Sequence, residues 1–586
     1  MNNTARNYAN KISKLIIFIT SIIGLSAIII EYGFNVKQAV ADVLHTVSMG
    51  VIVIFVLYQF FQIIIAEKKS VYIRNHIIEF AIIFLIFIEI ISLLLGASIV
   101  GRIGVALNFK NAAFLYIIFV QLFIVIGLFA GGLRYNKVIL SSKIHPARLF
   151  VLSFVFTILI GALFLSLPRS TVGGHIPFID ALFTSTSAVC VTGLVVVDTA
   201  TYYTQFGQTV ILILIQIGGL GLMTFTTFFT LFLSGGLGIK ESFVLGDMME
   251  EENIGELSRI LSFLIIITFS IEFIGAAILF ASIYGTMPFE EALFSSIFHS
   301  ISAFCNAGFS LFSLNLFDPT IKINYVFTTT ISLLIILGGI GFPTIINLSQ
   351  RGRAKDISKK LSNRITLQTK IVLLVTSILI VGGAVATYYL EYEHSLKGLS
   401  PFAKIHAAYF QSVVSRTAGY NSVDISKFTD ATSMFYCFLM LIGASPGGTG
   451  GGIKTTTFAV LVLSFWAYVR NSRSVSFGKR TIPKEVILRS LFKTLFTLLL
   501  IFIAVFILTL TDKGKQVIDL TFEAFSAFAT VGLSKGVTSA LTVAGKTVII
   551  LLMLIGRVGP LTFIYNFVKI KKDIDYDYPS ENISTL

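Results

Sequence analysis

Apolar residues run along this chain in stretches too long and too continuous for the one-sided pattern of a soluble helix or strand. They occupy roughly 13–31, 43–65, 77–98, 113–132, 149–167, 208–233, 260–283, 325–348, 366–391, 431–466, 489–510 and 543–567. About 20 mostly apolar residues suffice for a helix to cross a bilayer, so the pattern predicts twelve crossings. One set of connecting segments is basic, with Lys68, Lys69 and Arg74, then Arg134, Lys137, Lys143 and Arg148, then Arg351, Arg353, Lys359, Lys360 and Arg364. Arg470, Arg473, Lys479 and Arg480 continue it, followed by Lys569, Lys571 and Lys572. All fall on one side if every stretch crosses once, and basic loops mark the cytoplasmic side, where both termini are therefore expected. The first stretch follows Arg6, Lys11 and Lys14 but has no small-x-small cleavage site, so it reads as a helix and not as a leader.

The segments on the opposite side repeat. They read FTSTSAVCVTGL at 183–194, FHSISAFCNAGF at 298–309, YFQSVVSRTAGY at 409–420 and FEAFSAFATVGL at 522–533. In each, an aromatic residue stands ten positions before a glycine and a large apolar residue follows it. The glycines lie 115, 111 and 113 residues apart, which suits a module of span, short hairpin and span. Glycines recur downstream too, in Gly218 to Gly221, Gly338 to Gly341, Gly443 onward and Gly556 to Gly559. The expected fold is an all-α membrane protein with four pseudo-repeated helix–pore-loop–helix modules around one central pore, plus about four extra N-terminal transmembrane helices. The expected divisions are an N-terminal block at 1–140, modules at 149–259, 260–364, 365–488 and 489–568, and a cytoplasmic tail at 569–586.

Each hairpin offers about ten residues of helix-compatible sequence before its glycine, too few to cross, so it would enter the membrane and leave on the same side. Non-helical backbone at that depth is tolerated only where protein or a water-filled cavity surrounds it, and four such entries about one axis would enclose a hole. A dehydrating cation needs oxygen ligands, which an extended, unpaired backbone can supply as carbonyls. Glycine permits the angles required, and a short helix aimed inward points its negative end at the cation. Any single copy could equally be an ordinary loop with a turn glycine; four at matched spacing argue against that.

Composition narrows the alternatives. Charged residues make up 13% of the chain against about 25% in a soluble domain. The net charge of +14 is spread over short loops, not gathered on one face, so it reads as topology and not as nucleic-acid binding. Cys190, Cys305 and Cys437 lack metal-ligand spacing. There is no HExxH, GxSxG or paired-Asp arrangement for an intramembrane enzyme. A receptor without transport would leave four matched hairpins unexplained. His299 and Cys305 read as packing residues, and the acidic run Met249 to Glu256 as a solvated face.

On AVCVTGL, AFCNAGF, SRTAGYNS and AFATVGLS together, the chain resembles the Trk/Ktr/HKT superfamily of potassium transporters, and within it the bacterial TrkH/KtrB-type membrane subunit. The resemblance spans the four modules. It implies a potassium selectivity filter lined by Val191, Thr192, Gly193 and Leu194; Asn306, Ala307, Gly308 and Phe309; Thr417, Ala418, Gly419 and Tyr420; and Thr530, Val531, Gly532 and Leu533. A serine in place of the first glycine goes with sodium transport in this superfamily, so Gly193 favours potassium; a sodium-permeable or weakly selective cation channel is the alternative.

The resemblance also implies an intramembrane gate below the filter, made here of Gly447, Gly448, Gly450, Gly451, Gly452 and Lys454, within GASPGGTGGGIKTTT at 443–457, together with Arg557. That glycine run fails as a phosphate loop because Ile453 separates Gly452 from Lys454. An intramembrane arginine is costly and marks function by default; Arg416, inside the third filter copy, reads as a support behind the filter. The resemblance further implies a homodimer in the cytoplasmic membrane that is not an enzyme. It holds no cofactor of its own, with potassium as substrate and nucleotide bound only by a separate cytosolic regulatory ring of the TrkA/KtrA type. The N-terminal block lies outside that resemblance. Its fourth stretch, AAFLYIIFVQLFIVIGLFAGG, has none of the arginines of a voltage sensor.

Overall fold

The computed structural model of the chain describes residues 38–65, 146–234, 257–350 and 365–560 apart from 320, 322 and 479, with scattered positions between 13 and 91 and residue 563. The stretch at 113–132, most of that at 77–98, the acidic run at 249–256 and the tail at 569–586 lie outside the described residues.

One motif, a long outer helix, a short helix and an inner helix, recurs four times. The first module comprises Pro146–Leu165, Phe178–Val189 and Gln205–Ser234, and the second Leu257–Ile283, Phe289–Phe304 and Tyr325–Ile340. The third has Leu367–Leu390, Pro401–Val414 and an inner helix split into Asp430–Leu441 and Thr455–Val469. The fourth has Lys484–Thr511, Val517–Phe528 and Val543–Val558. Among the described residues Gln38–Ile65, Phe263–Ile283, Leu367–Leu390 and Lys484–Thr511 are long and apolar enough to cross a membrane. The bent pair Tyr325–Ile340 and Phe342–Ser349 makes a fifth.

Local sequence sets where the short helices start. Pro177 and Pro288 precede the first two and Pro401 opens the third, their fixed φ being pre-organised for a first turn. Asp180, Glu290, Glu291 and Asp519 place negative charge near the positive helix ends. The inner helices of the second, third and fourth modules are capped by Asn324, Thr429 and Thr542, each accepting from a main-chain N–H three residues on.

Small residues then let the helices close up, as lipid-immersed packing requires. Gly161, Gly275 and Gly383 of the outer helices face Ser185, Ser300 and Ser412 of the short helices, and a β-carbon on Gly275 would lie 2.6 Å from Ser300 Oγ. The three hydroxyls donate back to the Ile158, Glu272 and Ile380 carbonyls at 2.7, 2.6 and 2.7 Å. Two residues before each serine sits a fully buried ring, Phe183, Phe298 and Phe410, with Phe522 alike in the fourth module. The third copy thus differs from the expected spacing. Its anchoring ring is Phe410, nine positions before the glycine, and Tyr409 is only half-buried.

Two further expectations are corrected. The apolar run at 325–348 bends by 94° at Gly341, whose φ of 90° is left-handed. The outer helices also begin earlier than the apolar stretches, at Pro146, Leu257 and Lys484, so the divisions at 149, 260 and 489 cut into helices. The fourth opens with Lys484, Glu485 and Arg489, whose long side chains keep their charge in water while the backbone is already helical.

Candidate functional site

The four short helices end on a shared backbone pattern. Val191, Asn306, Thr417 and Thr530 have φ of 56°, 61°, 70° and 51°, and the glycines two positions on, Gly193, Gly308, Gly419 and Gly532, have 90°, 70°, 68° and 93°. Left-handed backbone costs a non-glycine residue about 1–2 kcal/mol, so four such residues at equivalent positions are a built feature. Return hydrogen bonds hold the turn. Thr192, Ala307 and Val531 N–H donate to the Ser187, Ser302 and Ser526 carbonyls at 2.7, 2.7 and 2.8 Å. In the one-residue-shorter third copy Ala418 donates to Val414 at 3.0 Å.

The glycines meet in a closed ring. A β-carbon on Gly193 would strike the Ala307 carbonyl oxygen, one on Gly308 would come within 2.5 Å of that of Ala418, and one on Gly419 within 2.6 Å of that of Val531. One on Gly532 would strike that of Thr192, returning to the start. Modules one to four therefore follow one another around an axis, with the second opposite the fourth. Thr192, Ala307, Ala418 and Val531 are fully buried, and among the described residues none of their carbonyl oxygens accepts a hydrogen bond. Nearly every buried main-chain group in a protein is paired; these four oxygens are left unpaired where the four turns meet.

Glycines of the inner helices bring the rest of each module against this ring. A β-carbon on Gly218, Gly338 or Gly556 would collide with the carbonyl oxygen of Val189, Phe304 or Phe528, the last residue of each short helix. In the third module the split inner helix frees a loop that lies against the ring of turns. Gly443 and Ile453 N–H donate to the Ile453 and Leu441 carbonyls at 2.9 and 3.1 Å, closing the loop at its neck. Ser445 and Thr449 N–H donate to Gly339 and Gly338, and Phe342 N–H to Gly447, at 2.9, 3.2 and 3.1 Å, so the bend at Gly341 makes room for the loop.

The tip reaches the turns at Thr417 and Thr530. Gly451 N–H donates to Thr530 Oγ1 at 3.0 Å, Gly450 packs on Thr417 Oγ1, and Gly448 on the Gly339 carbonyl. Lys454 Nζ turns back onto the Gly450 carbonyl at 2.9 Å. Gly452 takes a left-handed φ of 72° at the neck.

Arg557, 4% exposed, donates to the Thr449 carbonyl and, at 2.5 Å, to that of Gly218. No carboxylate pairs with it among the described residues, so main-chain dipoles carry its charge. Arg416 is buried and donates to the Gly443 carbonyl at 3.3 Å. The structure thus brings together all sixteen filter candidates and every gate candidate. Sequence reasoning missed Thr449, whose hydroxyl donates to the Phe304 carbonyl at 3.2 Å; a lone hydroxyl inside a glycine run was the available signal. Leu194, Phe309, Tyr420 and Leu533 are buried behind the ring as packing.

A family model described as "TrkH: Cation transport protein" matches residues 108–576. The chain is 40% identical over 459 residues to the Ktr system potassium uptake protein B of Bacillus subtilis, covering 77% of this chain and 99% of that protein. It is 36% identical over 460 residues to the Ktr system potassium uptake protein D of Bacillus subtilis, with 77% and 99% covered. It is likewise 36% identical over 450 residues to the potassium/sodium uptake protein NtpJ of Enterococcus hirae, with 75% and 97% covered. The fold is similar to the crystal structure of the potassium transporter TrkH from Vibrio parahaemolyticus, with a TM-score of 0.60 at 17% identity over 83% of this chain and 96% of that one.

Proposed function

Because the chain belongs to the TrkH family of cation transport proteins, we propose that it takes up potassium across the cytoplasmic membrane through one channel-like pore. The observation that carries this reading is the ring of four unpaired carbonyl oxygens at Thr192, Ala307, Ala418 and Val531. A potassium ion entering from the outer side would exchange its hydration shell for these and the neighbouring main-chain oxygens of residues 191–194, 306–309, 417–420 and 530–533. The ring supplies them without side-chain charge, which favours a large, weakly hydrated monovalent ion. The loop at 447–454 and Arg557 would form the gate, a fixed positive charge across the ion's path. A sodium-permeable pore is the second reading, since the Enterococcus hirae relative is named for both ions; Gly193 weighs against it.

Further features rest on the family and, for the termini, on the side that carries the basic loops. Two copies would associate in the bilayer, with both termini on the cytoplasmic side, and a separate nucleotide-binding ring of the TrkA/KtrA type would act on the basic loops. Liposomes containing the full chain, loaded for potassium and for sodium flux, test the reading. Wild type should pass potassium in preference to sodium, and Gly193→Ser should reduce that preference. Passage of neither ion, with or without a candidate ring, would sink the channel, and an unchanged ratio in Gly193→Ser would move the filter elsewhere.

A further inference from the structure

We propose that His299 and Glu523 are positioning residues for ion discrimination, each bracing the outer end of its own filter strand through a serine two positions beyond the filter glycine. This inference rests on the potassium-pore reading.

Both occupy one position, the residue after the buried ring of the short helix, and both are fully buried. His299 Nε2 lies 3.0 Å from Ser310 Oγ while its Nδ1 lies 2.7 Å from the Ser295 carbonyl. Glu523 accepts from Ser534 Oγ and, at 2.8 Å, from Thr538 Oγ1. The two serines do the same work on the far side, accepting from Phe312 and Gly536 N–H at 3.0 and 2.9 Å and so turning the strand as it leaves the ring. Phe312 stacks on His299 at 4.8 Å, and in the fourth module Lys535, next to the braced serine, pairs with Asp519 at the start of the helix at 2.7 Å. Each brace therefore closes a loop from helix to filter exit.

The other two modules lack it. Thr184, at the same position in the first, accepts instead from Tyr203 Oη at 3.0 Å. The side-chain amide of Gln411, in the third, has no hydrogen-bond partner among the described residues. The braced strands are thus the second and fourth, which face each other across the axis, and the distance between opposed carbonyls is what a selective ring must hold. Backbone oxygens cannot be tuned by their own side chains, so discrimination falls to groups that fix where the strands stand.

The test compares potassium-over-sodium flux ratios in liposomes for Glu523→Ala, Ser534→Ala and the double variant, with His299→Ala and Ser310→Ala as the second set. Loss of one buried hydrogen bond should lower the ratio by about fivefold, with potassium flux retained. The double variant should fall no further than the worse single, and Glu523→Gln, whose one carbonyl oxygen can still accept from Ser534 while its amide NH2 donates to the Thr538 hydroxyl, should regain part of the ratio. Thr184→Val should leave it unchanged. Ser534→Ala, in a half-buried loop, keeps the test available where Glu523→Ala does not fold. Ratios unchanged in the serine variants, or losses that multiply in the double, overturn the brace. A wild type that passes no potassium overturns the pore reading instead.

Discussion

The proposed filter and the proposed barrier beneath it are built on opposite principles. The proposed filter is one backbone turn made four times, and the atoms it would work with are carbonyls that every residue has. The barrier is made once, from a loop only the third module carries and an arginine only the fourth carries, set against glycines of the first two. Repetition makes a ring whose members hold one another, because each glycine leaves no room beyond the next carbonyl. A gate has to move without disturbing that ring, and a departure confined to one module allows it. Apart from its bonds to the Thr530 hydroxyl and the Arg557 guanidinium, the loop is held by single hydrogen bonds to main-chain groups, each worth about 0.5–1.5 kcal/mol net, so a few of them can be exchanged at modest cost. Damage to the filter should therefore abolish conduction or change which ion passes, whereas damage to the barrier should change how fast ions pass.

The sharpest way to break this comparison is Gly532→Ala. Its left-handed φ of 93° strains any side chain, and the new methyl group would collide with the Thr192 carbonyl oxygen. Potassium flux should fall by about a hundredfold or more, the strain alone being worth about 1–2 kcal/mol before the displaced carbonyl is counted. Gly285→Ala separates the two causes. Its φ of 85° is equally left-handed, but it faces open space, so thermal stability should drop slightly while flux stays at the wild-type level. Equal flux losses in both would mean that backbone strain, and not ring closure, makes the glycines necessary.

Arg557→Gln addresses the barrier. Removing a positive charge from the ion's path and loosening the loop from Gly218 both lower the resistance, so potassium flux should rise by about tenfold, equivalent to roughly 1.4 kcal/mol. The potassium-over-sodium ratio should not change. A fall in flux, or a changed ratio with normal folding, would show that the arginine supports the filter.

How far each region could be read from the sequence follows from the same contrast. The ring of turns was legible because four copies corrected one another, and Gly193, Gly308, Gly419 and Gly532 adjoin one another in it. The third copy misled by one residue because Tyr409 and Phe410 are adjacent rings and only burial distinguishes the anchor. The bend at Gly341 was hidden because FPTIINL continues the apolar run past it; what turns the chain is the loop seated against Gly338 and Gly339, a contact over a hundred residues away in sequence. The early start of Lys484–Thr511 escaped for a local reason, since its first turns are charged. Arg557 could be singled out by its cost in lipid, but its carbonyl partners lie in other modules, and no spacing rule connects 557 to 218 and 449.

Thr449→Val sharpens the comparison at its smallest scale. The substitution keeps the shape of the side chain and removes only the hydroxyl that donates to the Phe304 carbonyl. That carbonyl closes the second short helix, where Gly338 also packs, so the bond joins the loop to the base of a filter element and not to the ion's path. If the barrier is a set of weak, separable main-chain contacts, losing one of net worth about 1 kcal/mol should raise potassium flux by a few-fold, less than Arg557→Gln. Combined with Arg557→Gln, it should add little, because both variants release the same residue. If the two effects instead multiply, loop and arginine are independent obstacles in series, and the barrier would share the filter's redundancy after all.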